Sequence, residues 1–312
     1  MDVYHIPAML EQAVSILGCK PGKTIVDCTL GGCGHAVAIL PQLIPNGRFI
    51  GIDRDPDAII NAEHHLSLFH DVVTLIHENF KNLPAILDSL GIGNVDGILV
   101  DLGISLHQVR SSVRGFSFLE DGPLDMRMDP GQQLTAEEIV NTASERVLAD
   151  IFYRFGEERW SRQIAGRIIK DREKIPFKST LQLARTVQSV VTRKAGKKGG
   201  IHPATRVFMA LRIAVNGELE GLDEFIEAAA RRLNLGGRLC ALSFHSLEDR
   251  IVKQTMQRLR RGCTCPPRFP RCVCNGKALV RILTRKALRP DEDEVAQNPM
   301  ARSTRLRAVE RI

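Results

Sequence analysis

Short apolar runs separated by amphipathic stretches make up the first hundred residues of the chain. Strand candidates lie at 24–28, 48–53, 72–76 and 97–102. These runs lack a strict alternation of polar and apolar residues, which is typical of parallel strands that are buried on both faces. The stretches between them, 35–43, 56–69 and 83–90, have apolar positions at helical spacing. This order of elements predicts an α/β fold in which helices cover both faces of a mostly parallel sheet.

The alternation of strands and helices stops after the fourth strand. Between Asp101 and the next strand pattern, at 238–244, lie 136 residues, whereas a parallel crossover needs only about a dozen or more. Most of the surplus has helical patterns, at 135–141, 144–153, 157–171 and 181–190. We therefore predict an inserted helical subdomain at 106–205 within an α/β domain formed by 1–105 and 206–312. The remaining predictions are helices at 218–233 and 247–259, strands at 279–284 and 304–309, and a loop at the acidic run 291–294.

Composition and charge narrow the class of protein. The 312 residues are 44% hydrophobic and 25% charged, which fits a globular domain and excludes collagen, coiled coil and wholesale disorder. The sequence has no apolar run of membrane-spanning length and does not start like a signal peptide, so we expect a cytoplasmic protein without a membrane partner. Residues 250–312 contain 16 Lys and Arg against 5 Asp and Glu, whereas the first 249 residues contain 27 against 31. This basic tail indicates a nucleic-acid partner, although basic tails also serve solubility alone.

A glycine-rich turn follows the first predicted strand. Glycines at this position let a ligand approach the backbone, and Asp53 lies where nucleotide-binding α/β folds place the acid that holds ribose hydroxyls. The nicotinamide-binding fingerprint has three glycines in the pattern GxGxxG. Gly32 and Gly34 match its first two, but residue 37 is a valine, so the fingerprint is incomplete. Asp27, just upstream, is a poor neighbour for pyrophosphate but a good one for the cationic S-adenosylmethionine. The alternative is a turn without a ligand and an acid that caps a helix.

A series of longer motifs makes a family resemblance specific. In chain order they are His35, DRDP at 53–56, DLGIS at 101–105, RGFSF at 114–118, DGPLDMRM at 121–128, HPATR at 202–206, SFHSLEDR at 243–250 and NPMARS at 298–303. With these motifs the chain resembles the bacterial MraW (RsmH) family over nearly its whole length, most weakly at 263–277. That family uses S-adenosylmethionine to methylate the exocyclic N4 of a cytidine in the decoding region of 16S small-subunit ribosomal RNA.

The resemblance implies a fold, a cofactor and a set of site residues. The fold would be a class I S-adenosylmethionine-dependent methyltransferase, Rossmann-like and seven-stranded, with a helical substrate-recognition insertion and one antiparallel strand near its end. The cofactor-binding residues would be Cys33, Gly34 and His35 at the methionine end, Asp53 at the ribose, Phe80 at the adenine, Asp101 at the methyl group and Gln108 closing the pocket. Phe80 could instead be a core aromatic residue. The resemblance implies no metal.

The amino group of cytosine is a weak nucleophile because its lone pair is delocalised into the ring. The enzyme must therefore align the amine and supply an acceptor for its protons, and Asp101 is the natural acceptor by position. DNA amino-methyltransferases place Asp, Asn or Ser here, followed by Pro-Pro and an aromatic residue, which this chain lacks. Phe116 or Phe118 could hold the base, or could pack at the root of the insertion.

Other candidate site residues keep two interpretations. His245 could position the base or accept a proton, or its segment could be a strand-to-helix turn with Ser246 as the N-cap. Asp125 and Arg127 could be site residues or a structural ion pair. Methylation at cytosine C5 would require a cysteine nucleophile near the end of the fourth strand, and none is there.

Two features of the C-terminal region bear on partners. The eight cysteines of a cytoplasmic protein are more often free thiols or metal ligands than disulfides. Cys263, Cys265, Cys272 and Cys274 could form a tetrahedral zinc site or a reduced loop. Basic residues that could line one RNA-binding face are Arg258, Arg260, Arg261, Arg268, Arg271, Lys277, Arg281, Arg285, Lys286 and Arg289, with 193–198 as a second contact.

Three function classes stay open at this point. The first, which the resemblance favours, is a methyltransferase acting on ribosomal RNA. We expect its substrate to be RNA within the assembled or nearly assembled small subunit, with naked RNA as the alternative. The second is a DNA or protein amino-methyltransferase. The third is an RNA-binding assembly factor that retains a cofactor fold. The oligomeric state is not indicated by the sequence.

Overall fold

The computed structural model describes residues 7–195, 202–262, 265, 274 and 276–312, with side chains omitted at 193–195. It divides into two compact units. The first comprises Met1–Gly103 and Leu219–Ile312, and the second comprises Ile104–Glu218.

The first unit contains a seven-stranded sheet within the described residues. Its strands are β1 (Thr24–Asp27), β2 (Arg48–Asp53), β3 (Val73–His77), β4 (Val95–Asp101), β5 (Leu233–Ser243), β6 (Val280–Ile282) and β7 (Arg305–Arg311). The strand order is β3-β2-β1-β4-β5-β7-β6. Only β7 runs against the rest, since it pairs antiparallel with both β5 and β6. The predicted seven-stranded, mostly parallel sheet with one antiparallel strand is confirmed.

The helices follow the same chain order. They are α1 (Leu10–Leu17), α2 (Gly34–Leu43), α3 (Pro56–His65), α4 (Leu83–Ser89), α5 (Leu106–Arg110), α6 (Ala136–Thr142), α7 (Glu145–Arg154), α8 (Ser161–Arg172), α9 (Thr180–Ala195), α10 (Thr205–Asn216), α11 (Leu222–Arg231), α12 (Ser246–Arg261) and α13 (Glu292–Gln297). In the described part of the chain, no helix is both long enough and apolar enough to cross a membrane.

Both faces of the sheet are buried, as the unbroken apolar runs predict. Ile25 and Phe49 belong to a core that includes residues of α1 and α2. Their sequence neighbours Val26 and Ile50 point the other way, into a core with α4, α11 and α12. Successive strand residues face opposite sides of a sheet, so a strand covered on both sides needs apolar residues at every position.

Several elements differ from the sequence interpretation. Helix α8 starts at 161 and not at 157, α9 continues to 195 and not to 190, and β5 starts at 233 and not at 238. Helices α1, α5 and α10 were not predicted. The acidic run expected to be a loop begins α13, where Asp291 is the N-cap and accepts the Glu294 amide at 2.8 Å. Acids suit the first turn of a helix because the free amides there carry partial positive charge. The helix expected at 218–233 is shorter, since α11 starts after Gly221 in a left-handed conformation (φ 65°). The helix expected at 56–69 ends at His65.

The second unit is helical and has its own apolar core. Phe152, Ile164 and Leu183 are fully buried there, on α7, α8 and α9. This unit also includes α10, so it extends beyond residue 205, where the sequence analysis ended the insertion. The reason is that Asn216, at the end of α10, accepts the Met128 amide and donates to the Met126 carbonyl, each at 2.8 Å.

Candidate functional site

A tight loop joins β1 to α2 at the carboxyl edge of the sheet. Gly31 (φ 46°) and Cys33 (φ 64°) have left-handed backbone conformations. The Gly31 amide donates to Asp53 Oδ2 at 2.9 Å, and Thr29 Oγ1 accepts the Asp101 amide at 2.7 Å. The loop is thereby bonded to the ends of β2 and β4, and it holds the two acids that the sequence analysis selected at one edge.

Cys33, Gly34 and His35 lie where the loop enters α2. The Cys33 side chain is fully buried, and its sulfur accepts a hydrogen bond from Asn61 at 3.5 Å, so the backbone is what this residue can offer to a ligand. A Cβ at Gly34 would lie 2.7 Å from the Pro7 ring, which means that packing within the protein already requires glycine there. His35 is buried, with Nδ1 at 3.9 Å from Asp101 Oδ2.

Asp53, at the end of β2, accepts two backbone hydrogen bonds. Oδ2 accepts the Gly31 amide and Oδ1 accepts the Asp55 amide, both at 2.9 Å. Burial raises the pKa of this carboxyl to about 6, although these hydrogen bonds act in the opposite direction. Each carboxylate oxygen has a further lone pair. Asp53 can therefore still accept ligand hydroxyls, as expected of a ribose-binding acid.

Two further carboxylates at the strand ends have oxygens without a protein partner. Asp27 Oδ2 and Asp101 Oδ1 are buried and form no hydrogen bond within the described residues. Burial, and secondarily the charges of Asp101 and Asp53, raise the pKa of Asp27 well above its usual range. Burial, together with the charge of Glu248, raises the pKa of Asp101 to about 7. Buried acceptors without partners are uncommon, and they often mark a site that a ligand completes.

The chemistry of this edge fits S-adenosylmethionine. The molecule brings an ammonium group and a sulfonium group, which favour nearby carboxylates, and ribose hydroxyls, which donate hydrogen bonds. Asp27 and Asp101 offer the two free acceptor oxygens, and Asp53 offers its remaining lone pairs. Open α/β sheets bind ligands at this edge, so the donor and acceptor groups match the ligand that the sequence suggested.

Phe80 and Gln108, the two remaining predicted cofactor residues, have contacts of their own. Phe80 follows β3, and its ring lies 4.6 Å from that of Phe225 in an edge-to-face arrangement, so part of it belongs to the core. Gln108, in the second unit, forms a capping box at the start of α5 with Ser105. Its oxygen accepts the Ser105 amide at 3.0 Å. Contact of either residue with the cofactor stays a prediction.

His245 is the N-cap of α12, not Ser246 as the sequence suggested. Its Nδ1 accepts the Glu248 amide at 3.4 Å, and the Glu248 carboxylate accepts the Phe244 amide at 2.9 Å. His245 Nε2 lies 3.0 Å from Glu248 Oε1 without forming a hydrogen bond to it. Histidine can cap because its neutral ring has one acceptor nitrogen. A direct role of His245 in the reaction stays a prediction.

Glu248 is the residue of this site that the sequence analysis passed over. It is 2% exposed, and its charge is one cause of the raised pKa of Asp101. Its spacing three residues after a cap is that of a capping box, which was the available signal. Asp249, next along the chain, bonds to Arg305 at 2.7 Å and to Arg307 at 2.6 Å, and so ties the start of α12 to β7.

In the second unit, the open question about Asp125 and Arg127 has a structural answer. Arg127 donates to both oxygens of Asp125, at 2.8 and 2.7 Å, and also to the carbonyls of Pro130 and Gln132, each at 2.7 Å. The hydrogen bonds from Arg127 lower the pKa of Asp125 and outweigh the opposing effect of its burial. The pair holds its own loop together.

The two phenylalanines proposed to hold a base also have packing contacts. Phe116 is 8% exposed and belongs to the core of the second unit. Phe118 is half-buried, with its ring 4.7 Å from that of His202 and 4.8 Å from that of Phe208. Of the two phenylalanines, Phe118 therefore has the more accessible ring, and the exposed His202 lies beside it.

The cysteines separate into a buried group and a C-terminal group. Burial raises the pKa of Cys33 to about 12 and that of Cys19 to about 11, which disfavours the nucleophilic thiolate. Cys263 and Cys272 lie outside the described residues, so the predicted zinc alternative for the C-terminal group is not tested. Residues 196–198 of the predicted second RNA contact, and Arg268 and Arg271 of the first, also lie outside them.

Several of the predicted RNA-binding residues are engaged within the protein. Arg258 pairs with Glu227 at 3.1 Å, and Arg281 pairs with Glu310 at 2.6 Å. By contrast, Arg285 and Lys286 are exposed and form no ion pair within the described residues.

Known proteins match the chain over its full length. The model of the MraW methylase family matches residues 2–312. Three relatives carry the name ribosomal RNA small subunit methyltransferase H. That of Desulforapulum autotrophicum is 52% identical, and that of Desulfosudis oleivorans is 51% identical, each over 100% of both chains. That of Syntrophobacter fumaroxidans is 50% identical over 98% of this chain and 96% of its own. With a match of this extent at the family level, and with the acids of the loop and strand ends in place, the chain belongs to the MraW methylase family.

Proposed function

We propose that this methylase transfers the methyl group of S-adenosylmethionine to the exocyclic N4 of a cytidine in the decoding region of 16S small-subunit ribosomal RNA. S-adenosylmethionine is the methyl donor of the family. The RNA substrate is supported by the name shared by the relatives, which are about half identical to this chain over essentially its whole length. With ribosomal RNA as the substrate, we expect the reaction to take place in the cytoplasm.

The observation that carries the proposal is the free acceptor of Asp101. Its Oδ1 is buried at the end of β4 without a hydrogen-bond partner in the described residues, while its Oδ2 lies near His35. An exocyclic amine has two N–H groups to donate. A carboxylate that accepts one of them orients the amine and increases the electron density at nitrogen. The cysteines beside this edge, Cys28 and Cys33, are buried, and burial raises the pKa of both thiols, which disfavours their attack on a ring carbon.

In this mechanism the residues bind, orient and accept a proton. When bound, S-adenosylmethionine supplies an electrophilic methyl group on its sulfonium. Asp53 would accept from the ribose hydroxyls, and Asp27 would accept from the ammonium group. Asp101 would accept an N–H of the target amine and take the proton that nitrogen loses once the new carbon–nitrogen bond forms. A pKa of about 7 suits this step, because a base works best when its pKa lies near the working pH.

Transfer of tritium from S-adenosylmethionine tests the proposal. Small subunits and naked 16S ribosomal RNA from a strain lacking the enzyme are incubated with the protein and then digested to nucleosides. We expect label in N4-methylcytidine with the wild type, and a loss of roughly 10²- to 10⁴-fold with Asp101→Asn, the usual range for removal of a general base. Comparing the two substrates also shows which assembly state is methylated.

A matched control is Asp96→Asn, because Asp96 lies on the same strand but at its opposite end, where it accepts the Thr24 amide. We expect this variant to retain methyl transfer. Label in a different nucleoside, or in DNA or protein but not in ribosomal RNA, would contradict the proposed substrate. Binding of the cofactor without any label would indicate an assembly factor.

A further inference from the structure

A second concave site lies in the first unit. A cavity of about 590 Å³ is bounded by the end of α1, by Arg238 of β5 and by the segment 283–288 that follows β6. None of its lining residues belongs to the acidic edge described above. Its volume is within the range of roughly 300–1,000 Å³ that is usual for ligand sites.

The lining is rich in hydrogen-bond donors. Five of the lining side chains can donate, namely Ser15, Arg238, Thr284, Arg285 and Lys286, and the remaining three are aliphatic. None of the lining residues carries a carboxylate, and none is aromatic. Such a wall suits an anion and gives a nucleobase no ring on which to stack.

Hydrogen bonds hold Arg238 at the wall. Its Nε donates to Glu310 at 3.2 Å, and its Nη1 donates to the Ile16 carbonyl at 2.8 Å. Its Nη2 forms no hydrogen bond within the described residues, so part of its guanidinium fork is available. The Glu310 carboxylate also accepts a hydrogen bond from Arg281 at 2.6 Å. Two guanidinium groups therefore face one carboxylate.

The other donors are also available to a ligand. Thr284 Oγ1 accepts the Ala308 amide at 3.0 Å, which fixes the hydroxyl and leaves its proton to be donated. Arg285 and Lys286 are exposed and form no ion pair among the residues that the structure describes. The cavity thus combines a positioned guanidinium and hydroxyl with two exposed cations.

We propose that this cavity binds a backbone phosphate of the RNA substrate, away from the methylated base. A phosphate group matches the lining, because guanidinium and ammonium groups are the usual protein ligands of phosphates. Phosphate contacts fix the register of a nucleic acid without reading its bases. This assignment rests on the proposed RNA substrate, but its test measures RNA binding and does not require methyl transfer.

The test compares two double variants in equilibrium binding to naked 16S ribosomal RNA at several salt concentrations. Arg285→Ala/Lys286→Ala removes the two exposed cations of the cavity. Arg48→Ala/Lys253→Ala removes the same two side-chain types from exposed positions on β2 and α12. Each lost phosphate contact should lower the slope of log K against log salt concentration by roughly 0.7.

The cavity variant loses this one phosphate contact, so we expect a slope smaller by about 0.7 and roughly tenfold weaker binding at low salt. Its affinity for S-adenosylmethionine and its kcat should match those of the wild type, while KM for RNA rises. The control should retain the salt slope of the wild type. Equal affinity and slope in the cavity variant and the wild type would overturn the assignment, whether or not the protein methylates cytidine.

A third outcome separates two classes of partner. Weaker binding to assembled subunits, with unchanged binding to naked RNA, would assign the cavity to an acidic surface of a ribosomal protein and overturn the phosphate assignment. Suppose that the wild type methylates the RNA and that both double variants bind the RNA as tightly as the wild type does. In that case the proposed function stands and the cavity assignment fails.

Discussion

The pH dependence of methyl transfer should report the ionisation of Asp101. Burial and the charge of Glu248 raise the pKa of this carboxyl to about 7. Only the ionised form can accept a proton from the amine. Activity should therefore rise with pH through this pKa, since the reactive form is lost as the pH falls below it. With a pKa of about 7, about one tenth of Asp101 is ionised at pH 6 and about nine tenths at pH 8.

We expect kcat/KM for S-adenosylmethionine to fall about tenfold from pH 8 to pH 6, because kcat/KM reports groups of the enzyme before the substrate binds. The assay is initial-rate tritium transfer to RNA, with both substrates well below saturation. At saturating cofactor the limb should move to lower pH, since a bound cation favours the ionised carboxylate.

Two variants identify the group responsible. Asp101→Asn should abolish the acid limb and leave a low rate that hardly changes with pH. Glu248→Gln should move the limb to lower pH, because it removes a negative charge that opposes ionisation of Asp101. Glutamine can still accept the Phe244 amide, so the start of α12 should persist. Glu11→Gln, at an exposed position on α1, is the control and should leave the limb in place.

Two results would refute this reasoning. If the acid limb persists in Asp101→Asn at the same pH, it belongs to another group, and His35, at 3.9 Å from Asp101, becomes the first candidate. If Glu248→Gln leaves the limb of the wild type unmoved, the electrostatic coupling of the two carboxyls does not control the reaction.

Three further predictions concern single residues. Asp53→Ala should weaken S-adenosylmethionine binding at least tenfold in calorimetry. Glu63→Ala, at an exposed position on α3, is the control and should leave the affinity unchanged. If Asp53→Ala binds the cofactor as tightly as the wild type, Asp53 does not hold the ribose. Asp249→Ala leaves Arg305 and Arg307 without their buried partner, and should lower the free energy of unfolding by about 3 kcal/mol in urea titrations. A loss below about 1 kcal/mol, which is what a surface ion pair contributes, would contradict the structural role of Asp249. Arg127→Lys cannot keep the two hydrogen bonds from one guanidinium to Asp125. Proteolysis should therefore cut the second unit faster, while the affinity for the cofactor stays the same. A change in cofactor affinity alone would argue that Arg127 belongs to the site.

The sequence was informative about the acidic edge because of how parallel sheets are built. A strand buried on both faces must be apolar throughout, so an acid at its end stands out, as Asp27, Asp53 and Asp101 do at the ends of β1, β2 and β4. Those strands are neighbours in the sheet and run in the same direction. Their final residues must therefore meet at one edge, and this could be predicted without coordinates.

Local capping could not be predicted in the same way. Serine is the common N-cap, and Ser246 precedes a helical pattern, so the sequence favoured it. The structure places the cap one residue earlier, at His245, because the buried Glu248 carboxylate accepts the Phe244 amide and fixes the turn. The spacing of 245 and 248 is compatible with a capping box, but the choice of His245 over Ser246 depends on the tertiary burial of Glu248, which the sequence does not reveal.

The distribution of charge shows a second limit, and it changes where RNA should be attracted. By sequence position, the basic excess lies after residue 249, but folding brings those arginines to acids such as Asp249 and Glu310. Counted by compact unit, residues 104–218 contain 19 Lys and Arg against 13 Asp and Glu, a net charge of +6 out of the +7 of the whole chain. The remainder of the chain is therefore almost neutral. Long-range attraction of RNA should come mainly from the inserted unit, whereas the first unit should hold RNA through local groups of cations that form no ion pair in the described residues, such as Arg285 and Lys286 of the cavity.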